Sequence, residues 1–247
     1  MKKLLFLFLC LGLAGCATMP ASEQKVEKYT ANFSYSLASQ GIAPKNGVTF
    51  TIADVVYKQP AGAILWFASP QFVNLTLSMR QDVPKILTAK GFSVRGPYDS
   101  YDLIPFQDKK EIDLLLVSSF ELSVELKDRK EQLENYWAWQ SPTVQTGIAE
   151  VSGKFNLELR DIINRELMWT KTIPVKKFEF SYLERIPWGQ LYTPGKLYSY
   201  GSILDGMAKG MEQQYPDIMA NVYNLIDAEE MSIIKKQAQE LKSKKGY

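Results

Sequence analysis

Histidine is absent from the 247 residues. The chain therefore holds no Ser-His-Asp or Cys-His nucleophile, no histidine metal site and no histidine pH switch. Cysteine occurs at Cys10 and Cys16 only, both near the amino terminus. The remainder has no disulfide framework and no four-cysteine zinc site. Excess charge is also missing: 29 basic residues face 27 acidic ones, and removing residues 1–15 takes Lys2 and Lys3 and leaves 27 against 27. A formally neutral chain gives no global electrostatic case for nucleic acid. There is no GxGxxG, Walker A, GxSxG or HExxH pattern, so no motif nominates a catalytic residue, a metal or a cofactor, and the chain reads as a non-enzyme. What is present is ordinary for a folded protein: 46% hydrophobic and 23% charged residues exclude wholesale disorder.

The amino terminus reads as an address and an anchor. Met1-Lys2-Lys3 is a positive n-region, and Leu4–Leu13 is apolar apart from Gly12. Ten residues fall short of the roughly 20 that span a bilayer but suit the core of a secretory signal. Leu13-Ala14-Gly15-Cys16 resembles a bacterial lipobox. That resemblance implies cleavage before Cys16, a diacylglyceryl group on its thiol and an acyl chain such as palmitate on its amine. Two or three chains anchor stably where one anchors marginally. The alternative is a plain signal peptide with an incidental cysteine. Ala17 stands where aspartate in such lipoproteins marks inner-membrane retention, which favours the outer membrane and leaves the face open. Residues 1–15 are thus a signal peptide, 16–30 a lipidated tether and 31–247 a single domain.

The mature chain shows a mixed periodicity. Phe33, Tyr35 and Leu37 alternate with polar residues as in an edge strand, and 48–56 is β-rich. Ser69-Pro70 opens a helix whose apolar face runs through Phe72, Leu75, Met79 and Val83 to Ile86 or Leu87, with a kink or break expected at Pro84 and a stop at Lys90-Gly91. A strand at 92–94 follows, then a loop or helical turn at 102–110. Residues 112–126 form the strongest strand, 127–146 reads as a long polar and aromatic loop, and 148–175 as a hairpin with Pro174 at a sheet edge. Residues 184–202 are a second aromatic loop. Ile203–Ile226 is helical, with Pro216 separating two pieces, and the charged tail suits a further helix. Gly206 and Gly210, four apart, predict close packing of that helix. The order implies an α/β domain: a mixed sheet flanked by helices, with a charged C-terminal helix.

The helix–glycine–strand segment Asp82–Val94, the stretch Phe106-Gln-Asp-Lys-Lys-Glu-Ile-Asp-Leu-Leu-Leu-Val117 and the following Phe120-Glu-Leu122 resemble the neuraminyllactose-binding hemagglutinin (HpaA-like) family of bacterial lipoproteins. The tail Ala238–Lys245 is similar as well. This resemblance implies an anticodon-binding-type α/β layer like that of the amino-terminal domain of TolB, and a surface adhesin binding sialylated glycan or a host receptor. The family's sugar-associated lysine-rich stretch falls at Lys127-Asp128-Arg129-Lys130. Lys127, Arg129 and Lys130 suit a carboxylate, since arginine grips one with two parallel bonds. The competing reading is a solvated strand end neutralised by Asp128 and Glu131. Trp137 and Trp139, in Tyr136-Trp137-Ala138-Trp139, suit a carbohydrate platform, a protein interface or packing onto the domain. The alternative function is a periplasm-facing envelope assembly or interaction module that binds a protein rather than a glycan.

Overall fold

The computed structural model describes residues 29–37, 41, 43–52, 55–58, 66–134, 142–186 and 201–244. They form one mixed sheet, β1 (Thr49–Ile52), β2 (Val56–Lys58), β3 (Ser93–Arg95), β4 (Leu114–Leu133), β5 (Thr143–Asp161) and β6 (Leu167–Ile186), with helices α1 (Val73–Ala89), α2 (Phe106–Glu111), α3 (Gly201–Leu225) and α4 (Ala228–Lys244). The strand order is β3-β1-β4-β5-β6, with β2 also pairing β4. β1 pairs in parallel with β3 and β4, while β4, β5 and β6 run antiparallel as a long meander. The α/β class with a C-terminal helix follows the expectation.

The sheet has a covered face and a largely open one. Phe50 and Ile52 of β1, Leu114, Leu116, Phe120 and Leu122 of β4, and Ala149, Val151, Phe155, Leu157 and Leu159 of β5 form the core beneath the helices. Their spacing by two is what a pleated strand needs to bury one face. Among the described residues, the other face carries a small cluster of Ile104, Ile112, Leu115 and Ile162 at one end. α3 lies on β6, where the rings of Phe180 and Phe178 sit against Gly206 and Gly210; a Cβ there would come within 2.2 and 2.1 Å of those rings. α4 is tied down by its buried Met231, Ile234 and Ala238 and by the Trp169 indole N–H, which donates to Glu230 at 2.9 Å. Lys235 adds an ion pair to Asp113 at 3.0 Å.

Several elements differ from expectation for identifiable reasons. Pro84 and Pro216 lie inside continuous helices. Buried residues flank each proline, Met79, Val83, Ile86 and Leu87 in α1 and Tyr215, Ile218 and Met219 in α3, so packing outweighs one lost hydrogen bond. The β-rich stretch 48–56 is two strands rather than one. Phe33, Tyr35 and Leu37 are not in a strand. Phe33 instead packs against Phe72 and Tyr215, at 6.1 and 5.5 Å between ring centroids, and the Ala31 N–H donates to the Gln71 carbonyl at 3.1 Å. The alternation is real, but its apolar face meets helices. The expected loop 127–146 is the largest departure: β4 continues to Leu133 and β5 begins at Thr143. β6 likewise continues to Ile186. No helix among the described residues is long and apolar enough to cross a membrane. Cys16, Trp137 and Trp139 lie outside the described residues.

Candidate functional site

The basic segment sits inside the β4–β5 ladder, not at a strand end. Lys127 pairs with Ile148, the next pair is Lys130 with Thr146, and the extra residue makes a β-bulge. Asp128 takes a positive φ of 50° there, a conformation that aspartate tolerates better than most residues. The bulge separates the bases. Lys127 turns to the open face and pairs with Glu150 and, at 3.6 Å, with Glu179. Arg129 pairs with Glu131, whose carboxylate also accepts from the buried Gln145 side chain at 2.7 Å. Gln145 and Glu150 lie on opposite faces of β5. Lys127 and Arg129 therefore do not converge on one point, and each already holds an intrachain carboxylate. Lys130 lines a shallow cavity of about 520 Å³ together with Thr146, Gly147, Tyr182 and Leu183. Gly147 allows the close approach there, since a Cβ would come within 2.7 Å of the Lys127 carbonyl.

Glu150 organises the open face at this level. It is 6% exposed and also accepts from Lys177 at 2.5 Å. Hydrogen bonds from Lys127 and Lys177 hold its carboxyl well below the usual range, against the opposing effect of burial. The same contact with Glu150 pushes the Lys127 ammonium upward.

The far end of the meander forms a corner where two chain segments close. Leu133 pairs with Thr143 and Thr143 pairs with Ile186. The Glu134 N–H donates to the Pro142 carbonyl at 3.0 Å. The Ser202 hydroxyl donates to Glu184 at 2.8 Å, and the Ile203 N–H donates to the same oxygen at 2.9 Å. Glu184 thus serves the orphan donors of the α3 amino terminus from another element. Burial pushes its carboxyl upward, only partly offset by those hydrogen bonds. The stretch bearing Trp137 and Trp139 joins the sheet between Glu134 and Pro142. The stretch bearing Trp188, Tyr192 and Tyr198 joins it between Ile186 and Gly201. Both junctions lie at this corner, beside the half-exposed Leu133 and Leu183.

Sequence reading did not single out Glu150 or Glu184. For Glu184 a signal exists: Phe178, Phe180, Tyr182 and Glu184 alternate, which puts the acid on the helix-facing side. For Glu150 there is none, because its partners come from two other strands.

No family model matches the chain, and no curated protein matches it. Among solved structures, a neuraminyllactose-binding hemagglutinin homolog from Helicobacter pylori superposes with a TM-score of 0.56 at 16% identity, covering 85% of this chain and 99% of that one. A protein of Xanthomonas campestris gives a TM-score of 0.34 at 12% identity, over 86% of this chain and 98% of its own. A lipoprotein of Neisseria meningitidis gives 0.23 at 13% identity, over 69% and 99%. The first similarity defines the class of this chain at the level of fold: the two-layer α/β architecture of the hemagglutinin homolog.

Proposed function

We propose that this chain is a lipid-anchored cell-envelope protein of the outer membrane, held through Cys16, whose α/β domain is a binding module for a protein partner. The observation that carries this reading is the corner at the end of the meander. The strand ends from which two stretches rich in tryptophan and tyrosine depart are neighbours there, with half-exposed Leu133 and Leu183 on opposite faces of the same corner. Aromatic side chains concentrate in protein interfaces because they bring large apolar area with a polar tip. The non-enzymatic reading rests on the lack of any nominated catalytic spacing in the sequence.

A second reading, recognition of sialylated glycan as an adhesin, is favoured by the fold shared with a protein named for binding neuraminyllactose. Against it stands the commitment of Lys127 and Arg129 to their own acids. The test compares wild type with Trp137→Ala and Leu183→Asp. Chemical crosslinking in envelopes is expected to recover a stoichiometric protein partner from wild type and to lose it in both variants, without a fall in Tm. Binding of wild type to sialylated glycans on an array, weakened in Arg129→Ala, would replace this reading with the second.

A further inference from the structure

A pocket of about 360 Å³ lies on the open face, towards the opposite end of β4 from that corner. Its size falls within the range of small-molecule sites, about 300–1,000 Å³. Its floor is apolar, built from Val56, Leu115 and Val117. Its rim carries Lys58, Arg160 and Arg165 with one acid, Glu158. Glu158 serves two of the three cations: Arg160 donates to it at 2.6 Å and Lys58 lies 3.5 Å away. Arg165 has no ion pair among the described residues; its guanidinium rests 4.8 Å from the centre of the Tyr101 ring.

The backbone holds Arg165 in that place. Its φ is +58°, a left-handed conformation that normally favours glycine or asparagine. The fully buried Asp161 enforces the turn, accepting from the N–H groups of Ile163, Asn164 and Glu166 at 2.8–2.9 Å. The Tyr101 hydroxyl fastens the other wall by donating to the Ile162 carbonyl at 2.8 Å. Arg160 donates to the carbonyl of Arg165 itself at 3.0 Å. A residue kept in a sparsely populated conformation by its surroundings is a pointer to function.

From the excess of two positive charges among the described lining residues, set over an apolar floor, we infer that this pocket binds an oxyanion carried on an apolar body, a phosphate monoester fitting best. Such a group carries about −1.5 to −2 charges at pH 7 and offers three acceptor oxygens. Arginine forks match those oxygens with paired bonds. The inference is independent of the partner proposed above, whose corner lies elsewhere on the sheet.

The test titrates phenyl phosphate, with benzyl alcohol as the uncharged control, into the full lipidated chain held in phosphatidylcholine nanodiscs. Phenyl phosphate is expected to bind at least about tenfold tighter than the alcohol, and Arg165→Gly to remove that advantage. Glycine adopts the positive φ freely, so Arg165→Gly is expected to keep or raise Tm. Lys58→Ala, at a half-exposed position, is expected to weaken phenyl phosphate and not benzyl alcohol. Equal binding of the two probes, undiminished binding by Arg165→Gly, or no binding at millimolar phenyl phosphate would each overturn the proposal. If wild type binds, nanodiscs doped with phosphatidate identify the source. Loss of phenyl phosphate binding there supports a lipid headgroup, and unchanged binding supports a soluble organic phosphate.

Discussion

Glu150 ties three strands together through one side chain. It stands on β5, and the two lysines that reach it come from β4 and β6. A carboxylate accepting from two ammonium groups is favoured in its charged form, and its pKa drops from 4.5 to about 2. A folded-state value below the unfolded one gives stability that is complete above the ordinary carboxylate range and is lost as pH falls towards the folded value. Glu150→Gln is therefore expected to lower the urea midpoint at pH 7 and to flatten its decline between about pH 5 and pH 2. Since Lys127 and Lys177 are 38% and 60% exposed in their side chains, the difference should shrink in about 1 M salt. A variant as pH-sensitive as wild type would show that other carboxylates dominate acid unfolding.

At the scale of elements, legibility followed burial. The helix face from Phe72 to Leu87 and the alternation of β5 could be read because one side of each meets the core. The continuation of β4 through Lys127–Leu133 could not, because residues 128–134 are exposed and carry no hydrophobic period. The candidate bases were thus found as a sequence cluster, while the bulge that divides them between two faces left no trace in composition. Gly206 and Gly210 are an intermediate case: their spacing announced close packing, but Phe178 and Phe180 lay on a strand read as ending at 175. They also supply a test in which two effects oppose. Alanine is favoured over glycine in a helix by about 1 kcal/mol, whereas forcing a methyl group into a filled contact costs about 1–3 kcal/mol. The Cβ at Gly210 would lie 2.1 Å from the Phe178 ring, so Gly210→Ala is expected to destabilise on balance, by up to about 2 kcal/mol. Adding Phe178→Ala should make the alanine at 210 neutral or stabilising. Chemical denaturation of the four proteins in that cycle decides it, and a stabilising single Gly210→Ala would contradict the packing of α3 on β6.

At the scale of the whole molecule, the anchor and the domain constrain each other. Tyr29 is already seated on the helix layer: its hydroxyl bonds to Glu212, and Lys209 lies 5.0 Å from its ring centre. Only residues 17–28 then separate Cys16 from the folded domain. Twelve residues, even fully extended, span about 40 Å. A lipidated Cys16 would hold the helix layer within that distance of the membrane, so the partner must be reachable there. Cys16→Ala is expected to move the protein out of the membrane fraction, and its retention would remove the lipid anchor from the account. Protease added to intact cells and to permeabilised cells then separates the two functional readings. Protection until permeabilisation is the outcome expected if the proposed protein partner is periplasmic. Digestion in intact cells would put the domain outside, where a periplasmic partner cannot reach it, and would transfer the argument to host glycans and receptors.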